Sequence, residues 1–400
     1  MTTATRTPFR LPKLPANLRQ YGILAALAVI VILFQVMTRG RLLLPGNINN
    51  LIQQNAYVLI LAVGMVIVII AGHIDLSVGS VVAMVGAISA VAMTQWGLPW
   101  YAAVIVALLV GAAVGAWQGF WIAFVGIPAF IVTLAGMLLF RGLTLVILTG
   151  GTINALPAEF NAIGGGWLPE LFGTIGEGRG SRDILTVVLA VTAAAILVLQ
   201  QFRARRKQRR LELVTEGAVS FWLKIVLAAV AIVALGWQIS AYRGTPIILI
   251  IVAGLILLFT FVLNRTVFGR QVYAIGGNLF AAQMSGVKTA RVNFFIFVIM
   301  GTLAGLAGIV TTARAGGAVA SAGTSFELDA IAAVFIGGAA VTGGVGTVPG
   351  AVIGALIMGV LNMGLSILSV DAAWQQAIKG LVLLLAVAFD VLSKRRGGNR

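Results

Sequence analysis

The chain has 400 residues, of which 60% are hydrophobic and only 10% are charged, and it contains 49 glycines. A soluble protein of this length needs far more polar surface to cover its core, so the composition excludes a soluble fold. The chain has no cysteine and a single histidine, which excludes disulfides, thiol catalysis and any metal site that needs two histidines.

The basic residues, which give a net charge of +16, cluster at the ends of apolar segments. Such placement is typical of topology signals and of contact with anionic membrane lipid. Basic and aromatic residues do not alternate along any polar face, so we expect no binding of nucleic acid. We therefore predict an all-α polytopic membrane protein whose small residues allow close packing between helices.

Apolar runs of about 20 residues, the length that crosses a bilayer, recur along the chain. We predict about twelve transmembrane helices, within a range of roughly ten to twelve. Their positions are 21–37, 51–71, 76–94, 101–125, 127–148, 183–200, 219–241, 246–263, 292–313, 328–342, 347–368 and 374–392. They form a single transmembrane domain over 21–393, between a basic tail at 1–20 and a basic tail at 394–400.

Charge placement predicts the topology of these helices. The segments 201–216 and 264–291 are basic, whereas 149–182 is acidic. By the positive-inside rule, both basic segments and both termini are cytoplasmic, and 149–182 is an external loop. Arg39 and Arg41 are the exception, because this topology places them outside.

A polar stretch, Ala71–Ser80, separates two apolar runs. An ionisable group near membrane depth costs about 3 kcal/mol, so Asp75 is expected to face a cavity or a partner. Gly72 and Gly79 would allow the helix to break, as in many transporter sites. The alternative is a cytoplasmic turn in which Asp75 caps a helix that begins at Leu76. His73 is interpreted as a turn residue or a neighbour of the site, and not as a ligand or proton relay.

A second acidic group, Asp329, opens the apolar segment that follows Ser325. In the predicted topology the segments after Asp75 and Asp329 run in opposite directions, as a weak inverted repeat would require. The alternative is that Asp329 is a plain N-cap.

The cytoplasmic segment Gly269–Val287 is amphipathic. From Asn278 to Ser285 it can form a short helix that Gly286 ends. Its apolar side chains, Leu279, Phe280 and Met284, predict docking of another protein, with a helix on the lipid surface as the alternative. No glycine-rich run is followed by Lys-Ser or Lys-Thr, so any ATP must be hydrolysed by another chain.

Glycine pairs recur between Gly337 and Gly350. A phosphate site would also need a helix start and usually a lysine. We therefore interpret Gly337, Gly338, Gly343 and Gly344 as sites of tight turning and close helix packing.

Ala71–Ser80 resembles the Gly-Ile-Asp-Leu-Ser-Val-Gly-Ser signature of sugar-importing ABC permeases of the ribose, xylose and multiple-monosaccharide group. Gly269–Val287 resembles the cytoplasmic coupling segment of that family, and 127–134, 337–347 and 361–365 are similar to further family segments. The resemblance covers about 47–392. His73, where the ribose type has glycine, and the extra residues between Gly150 and Arg243 are more similar to the xylose-type branch.

The resemblance implies a homodimeric permease of the bacterial inner membrane that is not an enzyme and holds no cofactor. ATP and magnesium would be on an ATP-binding subunit docked from the cytoplasm, and an extracytoplasmic sugar-binding protein would deliver xylose or a related monosaccharide. The coupling residues that it implies are Gly269, Arg270, Gly276, Gly277, Asn278, Ala281, Ala282, Ser285 and Gly286.

Polar residues within the apolar spans are placed near the translocation pathway by their position. They are Gln53, Gln54, Asn55, Asp75, Ser77, Gln118 and Asn362. Several could instead only bind neighbouring helices through hydrogen bonds. Two other interpretations stay open: a related permease for branched-chain amino acids or nucleosides, and a secondary transporter that couples through Asp75, Asp329 or Asp390.

Overall fold

The chain folds into helices joined by short connections, as the recurrent apolar runs predict. The computed structural model describes residues 18–398 except 177, 179–180 and 212–216, with only the helix course given for 18–21, 386 and 389–398. The helices are α1 Leu18–Met37, α2 Pro45–Gln54, α3 Ala56–Ile70, α4 Val78–Thr94, α5 Trp100–Phe120, α6 Ala129–Ile147, α7 Ala158–Gly165, α8 Ile184–Arg210, α9 Ala218–Ile239, α10 Ile247–Arg265, α11 Val267–Gly277, α12 Leu279–Met284, α13 Thr289–Ala315, α14 Phe326–Ile336, α15 Val348–Ile367 and α16 Ala372–Gly398. A π-helical turn, Trp121–Val125, extends α5.

Most of the predicted spans coincide with apolar helices, which confirms a polytopic all-α membrane protein. Among the described residues, seven helices are long and apolar enough to cross a membrane, and the bent pair α2–α3 makes an eighth. Shorter apolar helices occupy Gly22–Met37, Val78–Thr94 and Ala372–Leu385.

The predicted span at 328–342 is wrong. The helix there, α14, has only 11 residues, about half the length that crosses a bilayer. Its apolar composition continues beyond Ile336, but Gly338 adopts a φ of +91° and the segment before α15 is not helical. This segment therefore forms a half-length helix followed by a turn.

Two segments that were predicted as loops are largely helical. The basic residues predicted in the loop 201–216 belong to the last turns of α8, which continues to Arg210 as one helix of 27 residues. The coupling loop 264–291 consists mainly of α11 and α12. Residues 212–216 of the first loop, 1–17 of the amino-terminal tail and 399–400 of the other tail lie outside the described residues.

The loop 149–182 contains secondary structure that hydropathy did not predict. It holds α7 and the strands β1 Thr152–Asn154 and β2 Thr174–Ile175, while β3 Arg182–Asp183 follows at its end. β1 pairs antiparallel with β4 Gly317–Val319, and β2 pairs antiparallel with β3. The pair β1–β4 joins this loop to the chain after α13.

Helix α3 lies in the centre of the bundle. Every residue of α3 except Tyr57 is buried, because α13, α14 and α15 pack around it. A continuous apolar sequence with no polar face is typical of a helix enclosed by other helices. The polar groups at the two ends of α3 therefore lie next to the interior of the protein.

Close approach of α5 and α13 depends on glycine. Gly111 of α5 faces Gly301 and Gly305 of α13, and Gly115 lies against the backbone of Phe297. A Cβ atom added at Gly115 would overlap the carbonyl oxygen of Phe297. Small residues at such spacing allow the tight helix contacts on which membrane bundles depend.

The helices around α3 run in defined directions. Helix α4 runs parallel to α13, because Val82 contacts Gly308 and Gly86 contacts Thr312. Helix α3 runs opposite to α13, since Gly64 near its middle faces Met300 and Tyr57 at its start lines the same cavity as Val310. Helix α14 starts beside Tyr57 at the start of α3, and the turn after it is bonded to Ile70 at the end of α3, so α14 runs parallel to α3.

Helices α4 and α14 consequently run in opposite directions, as the predicted inverted repeat requires. The local structures around the two acids differ, however. Asp75 precedes α4 in a non-helical segment, whereas Asp329 lies in the first turn of α14. The inverted repeat stays a prediction.

The glycine contact between α5 and α13 can be tested by adding a single methyl group to one of the contacting glycines. We expect Gly115→Ala to lower the free energy of unfolding by about 1–3 kcal/mol, because the helices must separate to accommodate Cβ. Gly254→Ala on α10 is the matched control, since no atom of the described residues lies within 4 Å of a Cβ atom there. Thermal unfolding of the purified chain in detergent measures both, and equal effects of the two substitutions would contradict the close contact.

Candidate functional site

The break between α3 and α4, residues 71–77, brings polar groups into the bundle. Gly72 adopts a φ of +85°, in the left-handed region that favours glycine. Asp75 and Ser77 are both buried. The ring of His73 packs against Phe297 with 5.8 Å between ring centroids.

Asp75 is fixed by Ser77 and does not cap α4. Its Oδ1 accepts a hydrogen bond from the backbone N–H of Ser77 at 2.8 Å and one from the Ser77 hydroxyl at 2.7 Å. The alternative that Asp75 is an N-cap is therefore wrong, because α4 begins at Val78 and the carboxylate closes a local turn before it.

A third predicted pathway residue completes this cluster. Gln118 of α5 donates from Nε2 to the Ser77 hydroxyl at 2.6 Å. Hydrogen bonds therefore link Gln118 of α5 through Ser77 to Asp75 in the break. We call these three residues the inner polar chain. Gly79, predicted near a helix break, lies instead within α4, where its lack of a side chain admits the backbone of Gly323.

The other four predicted pathway residues lie together at the opposite end of α3. Gln53, Gln54, Asn55 and Asn362 line a cavity of about 460 Å³, which we call the amide cavity. The remaining residues that line it are Tyr57, Val310, Thr311, Arg314, Ala315, Phe326, Ser366, Gln375 and Lys379. The structure therefore separates the predicted residues into two polar groups, one at each end of α3.

Sequence reasoning missed Arg314, Gln375 and Lys379 in this cavity. The signal that could have found Lys379 is its position as a lone charge inside an apolar run, because such a residue marks a functional site by default. Gln375 one turn earlier on α16 carries no comparable signal.

Asp329 is not an N-cap. Its Oδ2 accepts hydrogen bonds from the Tyr57 hydroxyl at 2.6 Å and from Lys379 Nζ at 3.2 Å, and Oδ1 lies 3.1 Å from the same ammonium. The residue before α14 is Ser325, which makes no side-chain cap. The carboxylate therefore ties α3, α14 and α16 together beside the amide cavity, and this replaces the capping alternative.

The predicted docking helix is present as α12. Asn278 caps it by accepting from the backbone N–H of Ala281 at 2.9 Å, and Gly286 follows its end with a φ of +82°. Leu279, Phe280 and Met284 are exposed. Helix α12 therefore presents an apolar surface that the described part of the chain does not cover.

The nine predicted coupling residues do not all face outward. The exposed residues are Arg270, Gly277, Asn278, Ala281, Ser285 and Gly286. Gly269 and Ala282 are buried against the chain's own core, and Gly276 is half-buried. A helix of six residues is too short for its sequence to predict which face packs inward.

The end of α11 packs against the end of α3 and against the turn before α15. A Cβ atom at Gly276 would overlap the carbonyl oxygen of Ile70, the last residue of α3. The same carbonyl accepts from the backbone N–H of Gly344 at 2.8 Å. Tyr273 of α11 donates to the carbonyl oxygen of Gly346 at 2.7 Å. We call this contact between α11, the end of α3 and the turn before α15 the glycine junction.

The glycine pairs predicted as turns serve this packing. Gly338, Gly343 and Gly344 all adopt positive φ, between 73° and 91°. Gly337 lies against the backbone of Gly350, which brings the end of α14 against the start of α15.

The ion pair between Asp329 and Lys379 can be tested by a double-mutant cycle. We expect Lys379→Met to lower the free energy of unfolding by about 2 kcal/mol, below the roughly 3–5 kcal/mol of fully buried pairs because Lys379 is partly exposed. Adding Asp329→Asn should recover most of this loss. Thermal unfolding of the single and double variants measures the coupling, and simple additivity would contradict it.

Comparison with known proteins gives one family. Residues 47–387 match the family described as the permease component of branched-chain amino acid transport systems. The xylose transport system permease protein of Haemophilus influenzae is 40% identical over 380 residues, which are 95% of this chain and 98% of that protein. The ribose import permease protein of Escherichia coli K12 is 33% identical over 345 residues, or 86% of this chain and 85% of that protein.

No solved structure matches the chain. The family match extends from α2 into α16 and includes the break, both polar groups and the coupling helices. The chain therefore belongs to the family of permease components of branched-chain amino acid transport systems.

Proposed function

We propose that the chain is the membrane-spanning permease of an ABC importer that carries xylose or a related monosaccharide across the bacterial inner membrane. The observation that carries this proposal is the 40% identity, over 95% of the chain, to a protein named as a xylose transport permease. The identity to the ribose import permease is lower and covers less of the chain.

The two polar groups support a pathway alongside α3. The amide cavity lies at the start of α3, and the inner polar chain lies at its end. Amide and hydroxyl groups both donate and accept hydrogen bonds, which suits an uncharged sugar with many hydroxyls. In this proposal the sugar enters at the amide cavity and leaves past the break at 71–77.

The exposed surface of α12 supports docking of a separate ATP-binding subunit. Leu279, Phe280 and Met284 would insert into that subunit, which would hold ATP and magnesium. A movement of α12 and α11 would reach the end of α3 through the glycine junction, because Gly276 lies directly against Ile70. The permease would then need no nucleotide site of its own.

The remaining parts of the proposal concern assembly and orientation. Two copies of the chain would form the permease, an extracytoplasmic sugar-binding protein would deliver the sugar, and membrane lipid would surround the exposed apolar helices. Basic residues in the last turns of α8 support a cytoplasmic location for that end. Both termini would then be cytoplasmic.

Two alternatives differ in cargo or in energy source. The family description names branched-chain amino acids, which makes leucine the alternative cargo. A secondary transporter would couple through a carboxylate in the membrane, for which the sequence offers Asp75, Asp329 and Asp390. Asp329 is already paired with Lys379 and bonded to Tyr57, and Asp75 accepts two hydrogen bonds from Ser77.

Reconstitution separates these possibilities. We expect liposomes that contain the chain, its ATP-binding subunit and its sugar-binding protein to take up labelled xylose only when ATP is supplied to the ATP-binding subunit. A proton gradient alone should drive no uptake. Xylose uptake by the isolated chain in response to a gradient would contradict the proposal, and ATP-dependent uptake of leucine in place of xylose would reassign the cargo.

The docking surface can be tested with a matched pair of substitutions. Phe280→Asp places a charge in the proposed interface and should reduce binding of the ATP-binding subunit at least about tenfold, because a desolvated unpaired charge is costly. Phe172→Asp is the control, since Phe172 is similarly exposed, at 63% against 72%, but lies in the loop 149–182. Copurification of the subunit measures both, and equal recovery would favour a helix that only lies on lipid.

A further inference from the structure

The last turns of α8 carry basic side chains along one face of the helix. Their spacing, i, i+3, i+4 and i+7, brings them onto the same face. We call them the basic row, and its four members, all exposed, are Arg203, Arg206, Lys207 and Arg210. Arg205 lies on another face, where its guanidinium packs 4.0 Å from the centre of the Phe221 ring of α9.

The basic row has no acidic partner among the described residues. Its members form two like-charge pairs at i,i+4 spacing, which destabilise a helix. The negative end of the helix dipole favours cations only within the last turn, so Arg203 and Arg206 gain little from it. In the sequence, six basic residues within 203–210 are followed by only two acidic residues within 211–217. The basic row therefore suits an anionic partner from outside the chain.

The length of α8 places the basic row at the depth of lipid headgroups. Asp183 caps the helix by accepting from the backbone N–H of Thr186 at 2.8 Å, which defines where it begins. Arg203 lies 19 residues after Ile184, about 28 Å along the helix axis. The hydrocarbon core of a bilayer is about 30 Å thick. A helix that begins at one surface of this core thus brings Arg203 to the other surface.

The basic row continues an apolar face of the same helix. Ile196 and Leu199 lie two turns and one turn before Arg203 on that face, and they are 50% and 55% exposed. Trp222 of α9, which packs against Phe202 with 5.3 Å between ring centroids, is also exposed. Tryptophan at this position is typical of a membrane–water interface. Acyl chains would cover the apolar part of the face, and phosphate groups would contact the basic part.

A nucleic acid fits this face less well than a lipid does. It would approach from water and contact the basic row, but it would leave the adjoining apolar residues uncovered. Proteins that bind single strands also offer aromatic rings on which bases stack. Within 200–210 the sequence has one aromatic residue, Phe202, and its ring packs against α9.

We propose that the basic row is a binding site for an anionic phospholipid. Its phosphate group pairs with the guanidinium groups of the row, whose planar shape matches phosphate oxygens, and its acyl chains cover Ile196 and Leu199. The bound lipid holds the α8–α9 hairpin in place where α9 packs against α2. The site goes beyond the proposed function and is independent of cargo and energy source, because its residues neither line the amide cavity nor belong to α12.

The test is native mass spectrometry of the full-length chain in detergent, titrated with phosphatidylglycerol or with phosphatidylcholine of the same acyl chains. The first lipid carries one net negative charge and the second carries none. We expect the unmodified chain to bind phosphatidylglycerol at least about tenfold more tightly, because several basic residues act together on an anionic headgroup. Added salt should weaken this preference, since the charges are exposed. Equal affinity for the two lipids would overturn the inference, whatever the variants do.

Two double variants, matched in the charge that they remove, locate the site. Arg203→Gln with Lys207→Gln should weaken binding of phosphatidylglycerol about 30-fold, or about fivefold for each charge. Arg39→Gln with Arg41→Gln removes two exposed basic residues after α1 and should bind like the unmodified chain. Equal affinities of the two double variants would overturn the inference.

Two soluble probes separate a lipid from other anions. Glycerol 3-phosphate carries a phosphate group without acyl chains, and a single-stranded RNA oligonucleotide represents nucleic acid. We expect neither to displace phosphatidylglycerol from the unmodified chain. Displacement by glycerol 3-phosphate would indicate a site for free phosphate, and displacement by RNA would indicate a nucleic-acid surface. Either result would overturn the inference.

Transport by the reconstituted importer separates this inference from the proposed function. If the importer carries xylose and the chain has no preference for phosphatidylglycerol, the lipid site is wrong and the proposed function stands. If the preference is found but the importer carries leucine, the proposed cargo is wrong and the lipid site stands.

Discussion

The enclosure of α3 by other helices is the constraint on which the rest of the structure depends. Every residue of α3 except Tyr57 is buried, and this is achieved because neighbouring helices offer glycine and other small residues at the contacts. A helix enclosed in this way brings both of its ends into the bundle, where unpaired polar groups are costly. The inner polar chain satisfies one end. At the other end the amides of α2 and α15 help to line a cavity, and some of their atoms have no hydrogen-bond partner among the described residues.

The same enclosure links the two ends mechanically. At one end, the Ile70 carbonyl contacts the turn before α15 and lies against Gly276 of α11. At the other end, Tyr57 is bonded to the Asp329 carboxylate, which also holds Lys379 of α16. A rigid buried helix between these contacts would transmit a displacement of α11 toward the amide cavity. Half-length α14 is bonded to the start of α3 through Asp329 and Tyr57, and the turn that follows α14 is bonded to the end of α3 through Gly344 and Ile70. These contacts would make α14 move with α3.

Much of this architecture could be predicted from the sequence, because hydropathy and charge report directly on bilayer length and topology. The bounds of α12 could also be predicted, because the residues at its two ends, Asn278 and Gly286, act locally. The pairing of Asp329 with Lys379 could not be predicted, because the two residues are 50 positions apart and only tertiary packing brings them together. The half-length of α14 was missed because hydropathy counts apolar composition, whereas the helix ends where glycine turns the backbone. The inward position of Ala282 depends on packing that a six-residue sequence does not encode.

Weak contacts between the cargo and the amide cavity would also suit the proposed transport. A permease must bind its cargo well enough for it to enter, but not so well that it cannot leave. The amides of Gln53, Gln54, Asn55 and Asn362 that line the cavity would give hydrogen bonds of modest net strength, since each replaces a bond to water. Release of the cargo would then depend on the displacement transmitted along α3 and not on a loss of tight contacts in the cavity.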